Sequence, residues 1–513
     1  MSTPYSLPRK GKLSGSFHPY FPVSPNQGYS AVQDDSQQTS EALYRTTTVG
    51  KLMIDALTRY VVGKGLTPMS APESDVLGWD EERLSAFRKS AEAFWRITTS
   101  DVNFDYYGKN PFQNLQQIAF KSILKDGDTL KHVGYRRLRS GLIVPYVQLI
   151  SGRMVSQEWN EDNQSSVGGV IIDKATGRET GYCLRVLDDT FNTTGSIRKV
   201  KRYNSLGRLE FDLISLAQSD PSIVRGIPIL TSLRDDILDY NAFKSNHILQ
   251  SAVQAMFTAF IEHEADAKDD GGNSFLDKLA QNGGEETVDE GEGKIDLGPG
   301  YVVDLNPGEH VSLAQPQAHG TDFDAFSRSV IGTIASSLGM SYEVAMNSYD
   351  ASFSASRSTI SGAEKNFAIL REEFANKFCT PVWEEVITYG ILMDGIECPE
   401  WDALSAIQKK ALLAVTWTGV TPPQVDPIKE VNAYVAAIEA GLCTKEYAIR
   451  MLYGMDHEEV EERLHAEQSM ASEAQESASE TKSGNEDAPV LDEDIDTDLE
   501  TGDASEKDDE DEE

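Results

Sequence analysis

Metal-binding residue types are concentrated in two places: Glu262, His263, Glu264 and Asp266, and then His457, Glu458, Glu459 and His465. Neither has HExxH spacing, which would set two imidazoles one helical turn apart on a common face. Both read as solvated charged faces of a chain with many carboxylates. Asp322 and Asp324 form a third pair that could bind magnesium in a DNA-cleaving enzyme, but no metal motif surrounds them. Nucleotide hydrolysis lacks its signature too. The Gly-Lys pairs at Gly11, Gly50, Gly63, Gly108 and Gly293 are each followed by something other than Ser or Thr, so no P-loop is present. The Gly-x-Ser-x-Gly elbow of hydrolases is absent as well. What remains is noncovalent chemistry. Residues 348–359, SYDASFSASRST, form a polar run unable to pack a core, with Arg357 inside it and Lys365 just beyond. Such a run suits a flexible binding tip or the lining of a channel for a moving polymer. On periodicity alone, a solvent loop between two core helices is the simpler reading.

Two amphipathic patterns must hold that run. Phe323, Phe326, Val330, Ile334 and Leu338 recur at spacings of three and four, with Thr321 and Asp324 at capping-box spacing and Gly339 just past the end. After the run, Ile360, Ala363, Phe367, Leu370, Phe374 and Phe378 repeat the stripe, and Pro381 predicts a kink. Upstream, the spacing predicts helices over 40–62, 80–95 and 112–125. Short β-branched segments between about 130 and 216 then predict an antiparallel sheet, and the class is α+β. Pro228 opens the longest stripe, expected to run to 262 and to span about 50 Å. Residues 263–294 are acidic and glycine-rich, and a hairpin turning at Asn306-Pro307-Gly308 follows. Shorter helices are expected at 403–416, 427–440 and 444–453. The first 40 residues, rich in Pro, Ser and Gln, and the acidic 469–513 are expected to be disordered.

The net charge of −37 over 513 residues, with about half of it in the last fifty, argues against a protein that coats nucleic acid through its global charge. Basic residues cluster at Arg136, Arg137 and Arg139, at Arg198, Lys199, Lys201 and Arg202, and at Lys409 and Lys410. The first two groups fit strand-edge or intersubunit ion pairs, or phosphate contacts. Cys183, Cys379, Cys398 and Cys443 are too scattered for a zinc site or a disulfide framework. No stretch approaches the roughly twenty apolar residues of a membrane span, and the amino-terminal residues lack a signal-peptide core.

The order of these segments resembles the lambda-type portal proteins of tailed bacteriophages. The resemblance is carried by FQNLQQIAFKSILKDGDTLKHV, VQLISGRMV, GGVIIDKATGRETGYCLRVL, IVRGIPILTSLRDDILDY, GYVVDLNPGEHV, GTDFDAFSRSVIGTIASSLGMSYEVAMNSYD, AEKNFAILREEFANKFCTPVWEEVI and GVTPPQVDPIKEVNAYVAAIEAGLCT. It covers about 40–450. It implies a mainly helical portal fold assembling as a ring, usually of twelve subunits, at a capsid vertex, without enzymatic activity or cofactor. The implied parts are a disordered arm (1–40), a wing (41–225), a first stem helix (226–262), a clip (263–320), a second stem helix (321–340), a tunnel loop (341–358), a long wing or tunnel helix (359–402), a crown (403–468) and an acidic tail (469–513). Implied partners are double-stranded DNA in transit, the terminase large subunit, head-completion or adaptor proteins and the major capsid or scaffold protein, with no membrane. The implied location is the virion, after assembly in the host cytoplasm. The channel-lining candidates are Asn347, Ser348, Tyr349, Asp350, Ser352, Phe353, Ser354, Arg357 and Lys365. The hydroxyls and amide could exchange hydrogen bonds cheaply, Tyr349 and Phe353 could wedge against a duplex, and the two cations could grip it transiently. The competing reading is an acidic DNA-mimic or scaffold that binds basic partners through its tail.

Overall fold

The computed structural model describes residue 26, residues 32–156, 166–188, 193–216, 220–256, 260–263, 309–312, 323–348, 353–419 and 427–453, and parts of 460–469. The chain divides into two compact units, Met1–Val425 and Asp426–Glu513.

The first unit opens with α1 (Gln33–Thr46) and α2 (Thr48–Val61). Apolar spacing predicts one helix from residue 40, with disorder before it; the structure has two helices, the first starting at Gln33. They break at Thr47, which is extended (φ −116°, ψ 137°). Its hydroxyl donates to the Leu43 carbonyl (2.6 Å) and accepts from the Gly50 N–H (3.1 Å), capping α2. The start of α1 escaped the periodicity because its buried face is polar: Gln33, Ser36, Gln37 and Ser40 are all buried. The Gln37 amide donates to the Asp126 carbonyl (2.8 Å), and Lys125 pairs with Glu41.

Next come β1 (Thr67–Ser70), the one-turn α3 (Ser74–Leu77), α4 (Glu81–Ser100) and α5 (Phe112–Asp126). The Asp80 carboxylate accepts from the Arg83 N–H (3.3 Å) at the start of α4, with Glu81 and Glu82 in its first turn complementing the helix dipole. The predicted sheet region contains β2 (Asp128–Arg137), β3 (Ile143–Ser151), β4 (Ser166–Val167), β5 (Val170–Ile172), β6 (Glu179–Leu187), β7 (Thr193–Lys201) and β8 (Phe211–Ser215). These form two antiparallel sheets, ordered β3-β2-β8 and β4-β5-β6-β7.

A buried ion pair fixes where the chain leaves the sheets. Arg225 meets Asp128 as a fork, Nε to Oδ2 at 2.6 Å and Nη2 to Oδ1 at 2.9 Å. Their side chains are 2% and 0% exposed. The guanidinium also donates to the carbonyls of Gly152 (2.8 Å) and Val155 (3.3 Å), and the Gly226 N–H donates to Asp128 Oδ2 (3.1 Å). The backbones of Gly127 and Gly226 touch; a Cβ on Gly226 would lie 1.9 Å from the Gly127 carbonyl oxygen.

Beyond this point lie α6 (Arg234–Met256), β9 (Phe260–His263), β10 (Glu309–Ser312), α7 (Phe323–Ser337), α8 (Tyr342–Met346) and α9 (Phe353–Phe374). A π turn, Ala375–Cys379, leads into α10 (Thr380–Leu392), followed by α11 (Ala406–Leu412) and β11 (Val415–Thr418). The long stripe is shorter than expected. Its 23 helical residues span about 35 Å, and Phe260–His263 is a strand paired antiparallel with Glu309–Ser312. The turn expected at 306–308 and the segment YVVDL lie outside the described residues. β11 pairs antiparallel with β1, Ser70 opposite Val415, so this part of the terminal region packs within the first unit. The second unit contains α12 (Pro427–Glu439) and α13 (Lys445–Tyr453), with Gly441 left-handed (φ 70°) after α12.

The core of the first unit centres on Trp95, whose ring lies 5.2 Å from Phe112, 5.3 Å from Trp383 and 5.9 Å from Trp417. The buried indole N–H of Trp383 donates to the Leu413 carbonyl (3.1 Å), and that of Trp417 to the Thr380 hydroxyl (3.0 Å). Cys183, Cys379 and Cys398 are buried, and all four cysteines are free thiols. Among the described residues no helix is long and apolar enough to cross a membrane.

Two predictions follow from the buried polar groups. Arg225→Met leaves Asp128 charged, buried and unpaired; urea titration should show a loss of about 3–5 kcal/mol. Asp126 is held above the usual carboxylate range, chiefly by burial and against the pull of Lys125. A carboxyl raised on folding takes up a proton as the chain folds, so its burial penalty is present at neutral pH and shrinks as pH falls through its native pKa. Asp126→Asn should therefore stabilise the protein at pH 7 relative to wild type, with the gain vanishing towards pH 4 in paired melts.

Candidate functional site

The polar run begins at the end of α8 and continues into the first turns of α9, and residues on either side of it are tied to the core. Gly339, left-handed at φ 74°, ends α7, and the Met340 N–H reaches back to the Ala335 carbonyl (3.0 Å). A Cβ at Gly339 would meet Asn366 Nδ2 at 2.8 Å; Asn366 uses that approach to donate to the Gly339 carbonyl (3.0 Å), joining α9 to the α7–α8 turn. Ser341 caps α8 by accepting from the Val344 N–H (3.3 Å). Met340, Val344 and Ala345 are buried. Arg328 of α7 lies over the Tyr342 ring at 4.8 Å.

Asn347 ends α8 in the left-handed conformation (φ 53°, ψ 41°). Asparagine tolerates this better than most residues. The Ser348 N–H donates to the Glu343 carbonyl (3.1 Å). Tyr349, Asp350 and Ser352 lie outside the described residues. The backbone of Phe353, Ser354 and Arg357 is already helical, so α9 begins ahead of the apolar stripe that marks it in the sequence. Lys365 is exposed. It lies on the side away from Ala363, Phe367 and Phe374, which are buried as the periodicity predicts. The structure thus brings Asn347 and Ser348 to one rim of the run and sets the later candidates along α9, with Lys365 roughly 12 Å along the axis from Arg357.

Residues that sequence reasoning missed hold α9 in place. Arg371 donates from Nε to the Val61 carbonyl (3.1 Å), from Nη2 to the Tyr60 carbonyl (2.8 Å) and from Nη1 to Glu364 (2.9 Å). In so doing it caps the last turn of α2. Tyr60 stacks on Phe367 at 5.2 Å and 3°. Lower down, the buried Lys131 of β2 points Nζ at the carbonyls of Lys377 and Phe378 in the π turn, both at 3.4 Å. Burial holds its ammonium below the usual lysine range, opposed by Asp212, which is 3.9 Å away. In return, Lys377 donates to the Ser215 carbonyl of β8 (2.9 Å). The only sequence signal for this arrangement is Pro381.

The two metal-like clusters are described only in part. Glu262 and His263 lie in β9, opposite His310 and Glu309; Glu264, Asp266 and His457–Glu459 lie outside the described residues. Among the described residues no group of three or more His, Cys, Asp or Glu side chains could hold a metal.

The sequence places this chain in the class of capsid portal proteins. Residues 16–371 match the phage portal protein, lambda family, and the chain belongs to that family. Portal protein B of Escherichia phage lambda is 24% identical over 419 residues, which cover 78% of this chain and 77% of that one. The portal protein of Escherichia phage N15 is 24% identical over 422 residues, with the same coverage. Among solved structures, a chain from the virion of a native gene transfer agent particle aligns with TM-score 0.45 at 10% identity, covering 82% of this chain and 93% of that one. A chain from the neck of the empty particle aligns with TM-score 0.43 at 12% identity, covering 80% and 93%.

Arg371→Ala removes two hydrogen bonds that fasten α9 to α2 and a third, to Glu364, within α9. The expected loss is about 2–3 kcal/mol in chemical denaturation, with hydrogen exchange rising first in 353–374 and at the end of α2.

Proposed function

We propose that copies of this portal protein close into a ring, of twelve subunits, at one vertex of a phage capsid, and that double-stranded DNA passes through its centre during packaging and ejection. The observation that carries this reading is the family match over residues 16–371. The named parts follow from it: a wing built on the two sheets, stem helices α6 and α7, a clip at 263–320, a tunnel loop at 341–358 and a crown and acidic tail towards the C-terminus. Its partners on this reading are the terminase large subunit and head-completion proteins at the clip and the capsid or scaffold protein around the wing. The protein acts structurally, and hydrolysis belongs to the terminase.

The physical chemistry supports this. Ile248 and Leu249 on α6 are 59% and 62% exposed in the single chain, and Ile369 on α9 is 65% exposed. Neighbouring subunits would cover such positions. A conduit must hold phosphates weakly, because each strong contact resists sliding. The candidate side chains supply hydroxyls and an amide, with few cations.

Negative-stain electron microscopy of the purified full-length protein should show rings with a central hole, and deleting residues 469–513 should leave them intact. Monomers at every concentration would overturn the ring reading; rings lost with the tail would favour an acidic scaffold.

A further inference from the structure

Asp and Glu together number 83 in this chain, yet none occurs between Asp128 and Glu158. The same stretch carries Lys131, Arg136, Arg137, Arg139 and Arg153. Three of these arginines stand at the tip of the β2–β3 hairpin, whose last paired residues are Arg137 and Ile143. Arg136 is fixed in place by carbonyls: it donates to Tyr106 (3.1 Å), Asn103 and Asp105, and its guanidinium lies 5.3 Å from the centre of the Tyr146 ring. Carbonyl partners orient the guanidinium without neutralising it. Arg137 and Arg139 are exposed. Among the described residues no carboxylate lies within 4.0 Å of any of the three. The acids of the loop that holds Arg136 are already engaged. Asp101 accepts from the Asn103 N–H (2.9 Å), and buried Asp105 accepts from the N–H groups of Tyr107 (3.0 Å), Lys109 (3.1 Å) and Asn110 (3.2 Å).

Aromatic surface adjoins this charge. Tyr106 and Tyr107 are 43% and 54% exposed and meet edge to face at 5.1 Å, with Tyr146 5.3 Å from Tyr106. Gly134 provides the seat for Tyr146, since a Cβ there would lie 2.6 Å from its hydroxyl. The net charge of −37 does not decide what this surface binds. At physiological ionic strength charges are screened beyond about 8 Å, so a ligand touching the tip feels mainly the local arginines. Guanidinium forks match phosphate oxygens in pairs, and tyrosine hydroxyls commonly donate to phosphates.

We propose that the β2–β3 hairpin tip, with Arg137, Arg139, Tyr106 and Tyr107, binds the phosphate backbone of duplex DNA on the outer surface of the protein, away from the polar run. A polyanion with closely and regularly spaced charges fits three cations within four residues. The site is independent of the channel reading, and its test excludes the channel. Relaxed, covalently closed circular duplex cannot thread a closed ring. Full-length protein should bind such circles in a gel-shift titration, with affinity falling steeply with salt. Arg137→Ala/Arg139→Ala should weaken binding about tenfold at low salt and reduce the salt slope by about 2, with circular dichroism and particle shape unchanged. No binding by the wild type, or equal binding by the variant, overturns the proposal. Displacement of the circles by poly-glutamate at matched charge concentration also overturns it, by making an acidic polypeptide the partner. Loss of rings with circle binding retained would count against the ring reading alone.

Discussion

Pro381 has no N–H to give the Lys377 carbonyl, four residues back, in the middle of a helical path that runs from Phe353 to Leu392. An unpaired buried carbonyl costs on the order of 1–3 kcal/mol. The chain meets this in two ways. The backbone widens into a π turn over Ala375–Cys379, and the sheet supplies a donor in Lys131, whose ammonium faces the Lys377 and Phe378 carbonyls. Lys377 sends its own ammonium the other way, to the Ser215 carbonyl. Two lysines thus cross between helix and sheet, each finding acceptors on the other element. Burying Lys131 is unfavourable, which is why its pKa falls. The cost is tolerated because Asp212, the carbonyls and the face of Phe378 at 5.7 Å surround the charge.

The rest of the first unit is arranged around that crossing. Phe374 and Phe378 flank it and stack at 5.1 Å; Phe378 also stacks on Phe112 of α5 at 5.8 Å, and Phe112 leads to Trp95 and Trp383. Lower α9 is therefore embedded in aromatic packing on several sides. The same half also carries the polar contacts of Arg371 and Asn366. Beyond Asn366 the exposed Ser361 and Gly362 give little to pack. Along one helix the environment changes from dry core to polar rim, and the candidate site lies at the polar end.

How much of this was legible in the sequence depended on which face each element buried. Stripes with an apolar face were read well: α4 begins after Asp80, α5 ends at Asp126 and α7 ends at Gly339, as spacing and capping predict. The start of α1 was not, because Gln33, Ser36, Gln37 and Ser40 bury amides and hydroxyls, which periodicity counts as surface. Periodicity overextends α6 because Phe260 and Ile261 continue its apolar content, yet they pair as a strand with Ser312 and Val311, about fifty positions away, and no local window contains those partners. The site showed the same division. Its composition announced a polar run, and Asn347 at the close of α8 fits a residue that tolerates positive φ. The anchors Arg371, Asn366 and Lys131 gave no signal, since a cation that reaches distant carbonyls resembles any other cation in a sequence.

The charge pattern carries a further consequence. Carboxylates are so abundant that a chance stretch of thirty residues should contain several, and acids that border or touch the acid-free stretch, Asp128 and Asp212 among them, do structural work. Asp128 neutralises Arg225 with no exposure to solvent, and Asp212 offsets Lys131. Lys131 is consumed inside the fold, while the arginines of the hairpin tip remain at the surface. Burying a cation requires a paired acid nearby, whereas exposed arginines need none; strands also disfavour Asp and Glu, which accounts for part of the scarcity along β2 and β3. The arginines left at the surface fit the proposed duplex contact: a surface left positive while the remainder of the chain stays negative would keep such contacts local, few and reversible. That is the balance a protein needs if it is to meet a long polyanion repeatedly without being coated by it.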